Sequence, residues 1–158
     1  MENFRIRYAT REDIPLIYQF IKDIAEYEKM LDQVVGDEKL LEEWLYDKNV
    51  GDVIFAMEGD KEVGFALFFH NFSTFLCKGG IYLEDLFVKP EYRKKGYGKA
   101  LLTKICEIAN ERNCGRVEWV CLNWNINSIN FYKSMGAISM DDWTTYRMCG
   151  EALDKFKK

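Results

Sequence analysis

Two kinds of strand connection lie close together in the sequence and restrict the folds open to the chain. Residues 52–58 and 62–70 are apolar segments separated by Gly59 and Asp60, a pair typical of a tight hairpin turn. Residues 81–122 then follow a pattern of strand, helix and strand. A hairpin pairs its strands antiparallel, whereas a strand–helix–strand crossover pairs them parallel. The sequence therefore predicts a mixed sheet in an α/β domain.

Hydrophobic spacing predicts the remaining elements. Ile14, Ile17, Ile21 and Ile24 recur at helical spacing, which indicates a helix with a buried stripe. In chain order, the prediction is a strand at 4–9, helices at 11–29 and 37–47, strands at 52–58 and 62–70, a polar loop at 71–80, a strand at 81–88, a helix at 98–113, a strand at 116–122, a helix at 127–135 ended by Gly136, and strands at 137–140 and 143–149. These elements amount to a mostly antiparallel sheet of about six to seven strands in one domain spanning residues 1–158.

Bulk properties exclude several classes of function. Apolar residues make up 48% of the 158 residues and charged residues 30%, as in a globular protein. No apolar run is long enough to span a bilayer and no leader pattern is visible, so we expect a cytoplasmic protein without membrane contact. The net charge of −4 argues against a nucleic-acid partner. Five cysteines without a C-x-x-C pair and a single histidine, His70, predict free thiols in a reducing compartment and no metal site.

A basic segment interrupts this acidic chain. Residues 93–99 read Arg-Lys-Lys-Gly-Tyr-Gly-Lys and lie between a predicted strand and a predicted helix. Glycines let the backbone turn several N–H groups towards one point, and the helix N-terminus adds unpaired donors with a partial positive charge. The segment therefore favours binding of a diphosphate. It matches neither the Walker pattern nor the dinucleotide fingerprint, and a solvated basic turn without a ligand remains the alternative.

Three motifs occur in an order known from one family. Residues 82–88 read Tyr-Leu-Glu-Asp-Leu-Phe-Val, residues 93–98 fit [R/Q]-x-x-G-x-[G/A], and residues 124–137 contain Trp-Asn followed by Ser-Ile-Asn-Phe-Tyr-Lys and Gly-Ala. With these motifs, and with Ile-Ala-Glu-Tyr-Glu at 24–28, the chain resembles the GNAT superfamily of N-acetyltransferases. Within it, the chain is similar to the spermidine/spermine (diamine) acetyltransferases and their bacterial relatives. The likeness extends over nearly the whole chain.

This resemblance implies a GNAT fold with helices on both faces of the sheet, acetyl-CoA as cofactor, and a homodimer. It implies direct transfer, in a ternary complex, of an acetyl group to a primary amine of a small molecule (a diamine, a polyamine or an amino-acid side chain). The implied cofactor-binding residues are Leu86, Phe87, Val88, Arg93, Lys94, Lys95, Gly96, Tyr97, Gly98, Lys99, Asn125, Ser128 and Tyr132. For Asn125 and Ser128, a helix-capping role is an equal alternative.

The resemblance also assigns the chemistry. Glu84 matches a carboxylate that accepts the amine proton through water, and Tyr132 matches a phenol that protonates the thiolate leaving group. Main-chain N–H groups of residues 86–88 match the donors to the thioester oxygen. The alternative for Glu84 is an exposed strand residue or a member of a structural ion pair, and the alternative for Tyr132 is an aromatic residue of the core. Asp85 points to the opposite sheet face in a regular strand, but relatives carry a bulge here, so the carboxylate that faces the cleft stays open.

The acceptor is the least determined part. Tyr27 and Glu28 match substrate contacts of the diamine group, and with Glu84 and Asp85 they form the predicted substrate-binding set. Residues 74–76 read Thr-Phe-Leu where polyamine acetyltransferases tend to carry acidic residues or tryptophan, which favours a shorter amine. The rival functions are acetylation of protein N-termini or lysines, a non-catalytic CoA-binding regulatory domain, and a nucleotide-binding module.

Overall fold

A computed structural model describes residues 3–158 of the chain. The chain divides into two compact units, the first ending at Leu122 and the second covering Asn123–Lys158. Among the described residues, none of the helices combines the length and the apolar character needed to cross a membrane.

The first unit contains a five-stranded sheet. Its strands, which neighbour one another in sequence order, are β1 (Phe4–Tyr8), β2 (Asp52–Glu58), β3 (Lys61–Ser73), β4 (Lys78–Val88) and β5 (Val117–Glu118). Strands β1 to β4 pair antiparallel, and β5 pairs parallel to β4. The mixed, mostly antiparallel sheet is thus confirmed, including the hairpin turn at Gly59 and Asp60. The strand count of six to seven is wrong.

The surplus strands were expected near the end of the chain. Residues 137–140 and 143–149 form no strand, and every residue from 138 to 149 is exposed. An alternating pattern produces a strand only where one face is buried and the backbone is paired along an edge. Neither condition is met among the described residues of the second unit, which include no buried side chain and no paired strand.

The predicted polar loop at 71–80 is also wrong. Strands β3 and β4 continue through it, with Phe72 opposite Gly79 and Ser73 opposite Lys78, so that only a four-residue turn at 74–77 remains. Ser73 is buried, and its hydroxyl accepts a hydrogen bond from the Leu76 N–H. The backbone N–H and C=O groups of this polar stretch are therefore paired between β3 and β4, as in the rest of the hairpin.

Residues 3–158 also form five helices. They are α1 (Ile14–Tyr27), α2 (Glu38–Glu42), which continues into a π-helical turn at Glu43–Asp47, α3 (Tyr97–Glu111), α4 (Ile126–Ser134) and α5 (Gly150–Asp154). Short 3-10 turns lie at Arg11–Asp13, Leu31–Gln33 and Pro90–Tyr92. The predicted helices at 11–29, 37–47, 98–113 and 127–135 are present within a few residues, whereas α5 was not predicted.

Helices α1 and α3 cover opposite faces of the sheet. The ring of Phe20 in α1 stacks on Phe65 of β3, with centroids 5.0 Å apart. The neighbouring Gly64 faces the other way, where a Cβ atom would lie 3.3 Å from Leu101 Cδ1 of α3. Since successive side chains of a strand point to opposite faces, the sheet is enclosed between these two helices.

Candidate active site

The sheet opens between β4 and β5. Strand β5 pairs only with Ile81 and Tyr82, so within the described part of the chain the rest of β4 has a strand partner on one side alone. We call residues 83–88 the open edge of β4. The Lys89 N–H donates to the Val63 oxygen of β3 at 2.9 Å, so the alternation of an antiparallel pair turns the backbone groups of Leu86 and Val88 towards the opening.

The predicted phosphate-binding segment follows this edge and begins α3. Gly96 has φ +91°, a left-handed conformation that favours glycine. The first hydrogen bond of the helix runs from the Ala100 N–H to the Gly96 oxygen, at 3.0 Å. The N–H groups of the three residues at 97–99 therefore have no intrahelical acceptor, and Gly96 has no side chain to cap them. This end of α3 is a set of aligned donors.

The basic side chains of the segment divide into two groups. Lys94, Lys95 and Lys99 are exposed, so their ammonium groups can approach a ligand at the helix N-terminus. Arg93 is exposed as well, but its guanidinium contacts the protein. Its Nε donates to the Val88 oxygen at 2.9 Å, and its Cζ stands 4.8 Å from the ring centre of Tyr27.

Tyr97 is an anchor rather than a surface residue. Its side chain is 1% exposed and its hydroxyl donates a hydrogen bond to the carboxylate of Glu58 at the end of β2. The ring also packs on Phe4 and Tyr92, with centroids 5.7 and 6.5 Å apart. Only the main chain of Tyr97 can therefore reach a ligand. No local pattern in the sequence indicates that this side chain ties the segment to the sheet.

A β-bulge lies at Glu84. Asp85 is opposite Leu67 and Leu83 is opposite Phe68, so Glu84 is an extra residue without a partner in β3. The bulge implied by the resemblance is present. It interrupts the alternation of side chains along β4, as bulges near active sites do.

Three carboxylates gather beside this bulge. Burial, and then the charges of Glu84 and Glu28, together raise the pKa of Asp85 from 3.8 to about 7. The pKa of Glu28 is raised by burial and then by Glu84. Glu28 caps the end of α1, directly after Tyr27. We call Glu28, Glu84 and Asp85 the carboxylate cluster. The structure thus brings together the acidic residues that the resemblance assigned to the acceptor.

The thiol of Cys121 lies within the electrostatic influence of Glu28. Burial and then the charge of Glu28 raise the pKa of its thiol, so the thiol form is favoured. Nothing in the sequence pointed to this neighbour. Among residues 3–158, no group of three or more His, Cys, Asp or Glu side chains is arranged to hold a metal ion.

The remaining predicted site residues lie in the second unit, on and before α4. Asn125 is the N-cap of α4, and its side-chain oxygen accepts a hydrogen bond from the Ser128 N–H at 3.3 Å. Tyr132 is half-buried, and its ring centre lies 5.4 Å from that of Phe131. The capping role expected as an alternative for Asn125 is therefore present.

Comparison with known proteins identifies the family to which these features belong. Residues 16–137 match the family model described as acetyltransferase (GNAT) family. The chain belongs to this family. It is an acetyltransferase enzyme, and its acetyl donor is acetyl-CoA.

Curated relatives match the acetyltransferase over nearly its whole length. L-ornithine N5-acetyltransferase of Arabidopsis thaliana is 32% identical, with 98% of this chain and 88% of the relative covered. Thialysine N-epsilon-acetyltransferase of Bos taurus is 35% identical, with 94% of each protein covered. A spermidine/spermine N(1)-acetyltransferase-like protein of Homo sapiens is 30% identical, with 97% of this chain but only 24% of the relative covered. These relatives support the similarity to the spermidine/spermine acetyltransferase group.

Solved structures of other proteins have the same fold as this chain. An integron cassette protein from the mobile metagenome of V. cholerae superimposes with a TM-score of 0.80 at 30% identity, with 98% of both chains covered. An aminoglycoside acetyltransferase from a soil metagenome, in complex with sisomicin, gives a TM-score of 0.79 at 19% identity, which supports the fold alone.

Proposed function

We propose that this acetyltransferase transfers the acetyl group of acetyl-CoA to a primary amine of a small cationic molecule, by direct attack in a ternary complex. The observation that carries the proposal is the carboxylate cluster beside the open edge of β4. Carboxylates attract ammonium groups, and the open edge offers unpaired backbone donors next to them.

The donor half of the site uses mainly the main chain. The pantetheine arm lies along the open edge, and the Leu86 N–H donates to the thioester oxygen as negative charge develops there. The diphosphate binds the free N–H groups at 97–99, with Lys94, Lys95 and Lys99 as counter-charges. Phe87 directs its backbone groups to β3 and contributes packing. Asn125 and Ser128 contact the cofactor near the start of α4.

The acceptor half is acidic. Glu28 and Glu84 hold the ammonium groups of the acceptor, and Tyr27 contributes a ring face. Ornithine and thialysine, which appear in the names of the relatives, are amino acids with an amine-bearing side chain. A short diamine or such a side chain is therefore the acceptor class that we propose, in preference to longer polyamines.

The attacking amine must first lose a proton, because an alkylammonium group has a pKa near 10.4. The sequence points to Glu84 as the acceptor of this proton, through ordered water. The raised pKa of Asp85, about 7, makes Asp85 the better-matched base at neutral pH. We assign proton transfer to this neighbouring pair, in which Glu84 orients the ammonium or the water and Asp85 receives the proton.

Tyr132 is proposed as the acid that protonates the departing thiolate. Replacing Tyr132 by Phe is expected to lower kcat about 10- to 100-fold, because the phenolic proton is lost while the ring stays. The dissociation constant for acetyl-CoA, measured by calorimetry, is expected to change little. A kcat equal to that of the wild type would show that Tyr132 is not the acid.

Three further properties are proposed on the family resemblance. The whole chain, residues 1–158, acts as one acetyltransferase domain. The enzyme is a homodimer and is cytoplasmic. Size-exclusion chromatography with light scattering measures the oligomeric state directly.

The proposed function is tested with a panel of amines and a thiol-release assay with acetyl-CoA. We expect the highest kcat/KM for diamines and for ornithine or thialysine, and lower values for spermine and for neutral amines. Preference for a peptide N-terminus or a peptide lysine would favour a protein acetyltransferase. Acetyl-CoA binding without turnover on any amine would identify a non-catalytic CoA-binding domain.

A further inference from the structure

Arg93, one of the cations in the segment at 93–99, packs its side chain against the protein. Arg93 Nε donates to the oxygen of Val88, on the open edge of β4. Its guanidinium lies over two rings, with Cζ 4.8 Å from the centre of Tyr27 and 5.2 Å from that of Phe87. The two rings are themselves 6.4 Å apart.

These three contacts join the edge proposed to bind acetyl-CoA to the residues proposed to bind the amine. Val88 belongs to the edge proposed to bind the donor, whereas Tyr27 is the last residue of α1 and precedes Glu28 of the carboxylate cluster. A planar guanidinium can stack on an aromatic face while its Nε–H donates to a carbonyl. The cation also lies near the C-terminal end of α1, where positive charge is favourable.

We propose that Arg93 is a positioning residue for the acceptor site and not a counter-charge for the diphosphate. It fixes the ring of Tyr27 against Phe87 and so sets the position of Glu28 relative to the end of β4. The diphosphate keeps the main-chain donors at 97–99 and three lysines, so its binding does not depend on Arg93. The kinetic consequences of this inference rest on the proposed function. The contact of Arg93 with Tyr27 is independent of that function.

The kinetic test compares Arg93→Lys and Arg93→Met with Lys99→Met as a matched loss of one charge. A lysine keeps the charge but cannot stack on two rings and donate to the Val88 carbonyl together. In both Arg93 variants we expect the KM for the best amine of the panel to rise about 5- to 10-fold, with kcat changed less than about 3-fold. The KM for acetyl-CoA is expected to rise in Lys99→Met and to stay near the wild-type value in Arg93→Lys.

S-Acetylpantetheine, which lacks the diphosphate, separates the two roles. The increase in amine KM is expected with this donor as well as with acetyl-CoA. If Arg93 binds the diphosphate, the defect will instead be an increased KM for acetyl-CoA that Arg93→Lys rescues and that disappears with acetylpantetheine. Either that result or an unchanged amine KM would overturn the inference.

A measurement without turnover keeps the inference separate from the proposed function. The ring resonances of Tyr27, assigned by their loss in Tyr27→Phe, are expected to shift in Arg93→Lys and to stay in place in Lys99→Met. Unchanged Tyr27 resonances in Arg93→Lys would refute the positioning role even in an active enzyme. A wild type that acetylates no amine would refute the proposed function, while the resonances would still decide whether Arg93 holds Tyr27.

Discussion

Replacement of Asp85 by Asn is expected to lower kcat/KM for the amine acceptor about 100- to 10,000-fold at pH 7, the range of effects for a general base. Asn has nearly the same shape as Asp but cannot accept a proton from the ammonium. The pKa of Asp85, raised to about 7 by burial and by its acidic neighbours, is suited to this task. The measurement is steady-state kinetics with the best amine of the panel.

The pH dependence of kcat/KM distinguishes the two carboxylates at the bulge. A base must be deprotonated to act, so the wild-type rate is expected to rise with pH through a value near 7. The charge of Glu84 contributes to the raised pKa of Asp85, so Glu84→Gln is expected to shift this rise to lower pH while much of the activity remains. If Glu84→Gln loses the activity and Asp85→Asn keeps it, the base is Glu84, as the sequence motif suggests.

Stability provides the control for Asp85→Asn. The folded-state pKa of Asp85 lies above its unfolded value, so the native state binds the proton more tightly and loses stability as pH rises from about 4 to 7. Asn carries no such cost, and the variant is expected to gain up to about 4 kcal/mol in unfolding free energy at pH 8 relative to the wild type. The gain is expected to vanish below pH 4. Denaturant unfolding at the two pH values therefore shows that lost activity is not lost folding.

The carboxylate cluster also shows what the sequence alone can provide. Only the family resemblance connects Tyr27 and Glu28 with Glu84 and Asp85, because no spacing rule links residues so far apart in the chain. The register of β3 and β4 determines where these carboxylates lie, since it places the bulge at Glu84 and leaves Asp85 opposite Leu67. Local patterns predict an element, whereas the environment of a carboxylate depends on contacts between distant elements.

The same distinction explains the errors in the fold. Helix α3 was predicted well because its apolar spacing and its glycine-rich start are local signals. The strands expected at 137–149 depended on a neighbouring edge that alternation cannot supply. The extension of β3 and β4 through residues 71–80 depended on cross-strand pairing of polar residues, which hydrophobic periodicity does not detect.

The directions of the side chains within a motif are a further feature that local sequence patterns do not predict. The segment at 93–99 was predicted as a diphosphate site, and its conformation at Gly96 suits that role. The sequence could not show that Tyr97 turns inward to Glu58 or that Arg93 turns to Tyr27. The motif thus predicts which ligand the main chain binds. The direction of each side chain in the motif depends on the residues that pack around it.

The backbone of this segment leads to the second large effect. Replacement of Gly96 by Ala is expected to weaken acetyl-CoA binding about 10- to 100-fold, because a residue with a Cβ atom is strained in the left-handed region by about 1–3 kcal/mol. Gly96 has φ +91°, and relief of the strain would turn the N–H groups at 97–99 away from the diphosphate. The dissociation constant is measured by calorimetry.

Gly98 is the matched control, two residues further along the same segment. A Cβ atom there would meet only Val88 Cγ2 at 3.9 Å, an ordinary van der Waals distance. Gly98→Ala is therefore expected to keep acetyl-CoA affinity within about 3-fold of the wild type, since alanine is favourable in a helical turn. Equal losses in both variants would point to crowding by the ligand instead of backbone conformation. Undiminished affinity in Gly96→Ala would contradict the assignment of the diphosphate to this turn, because the left-handed conformation of Gly96 is the feature that orients the N–H donors at 97–99.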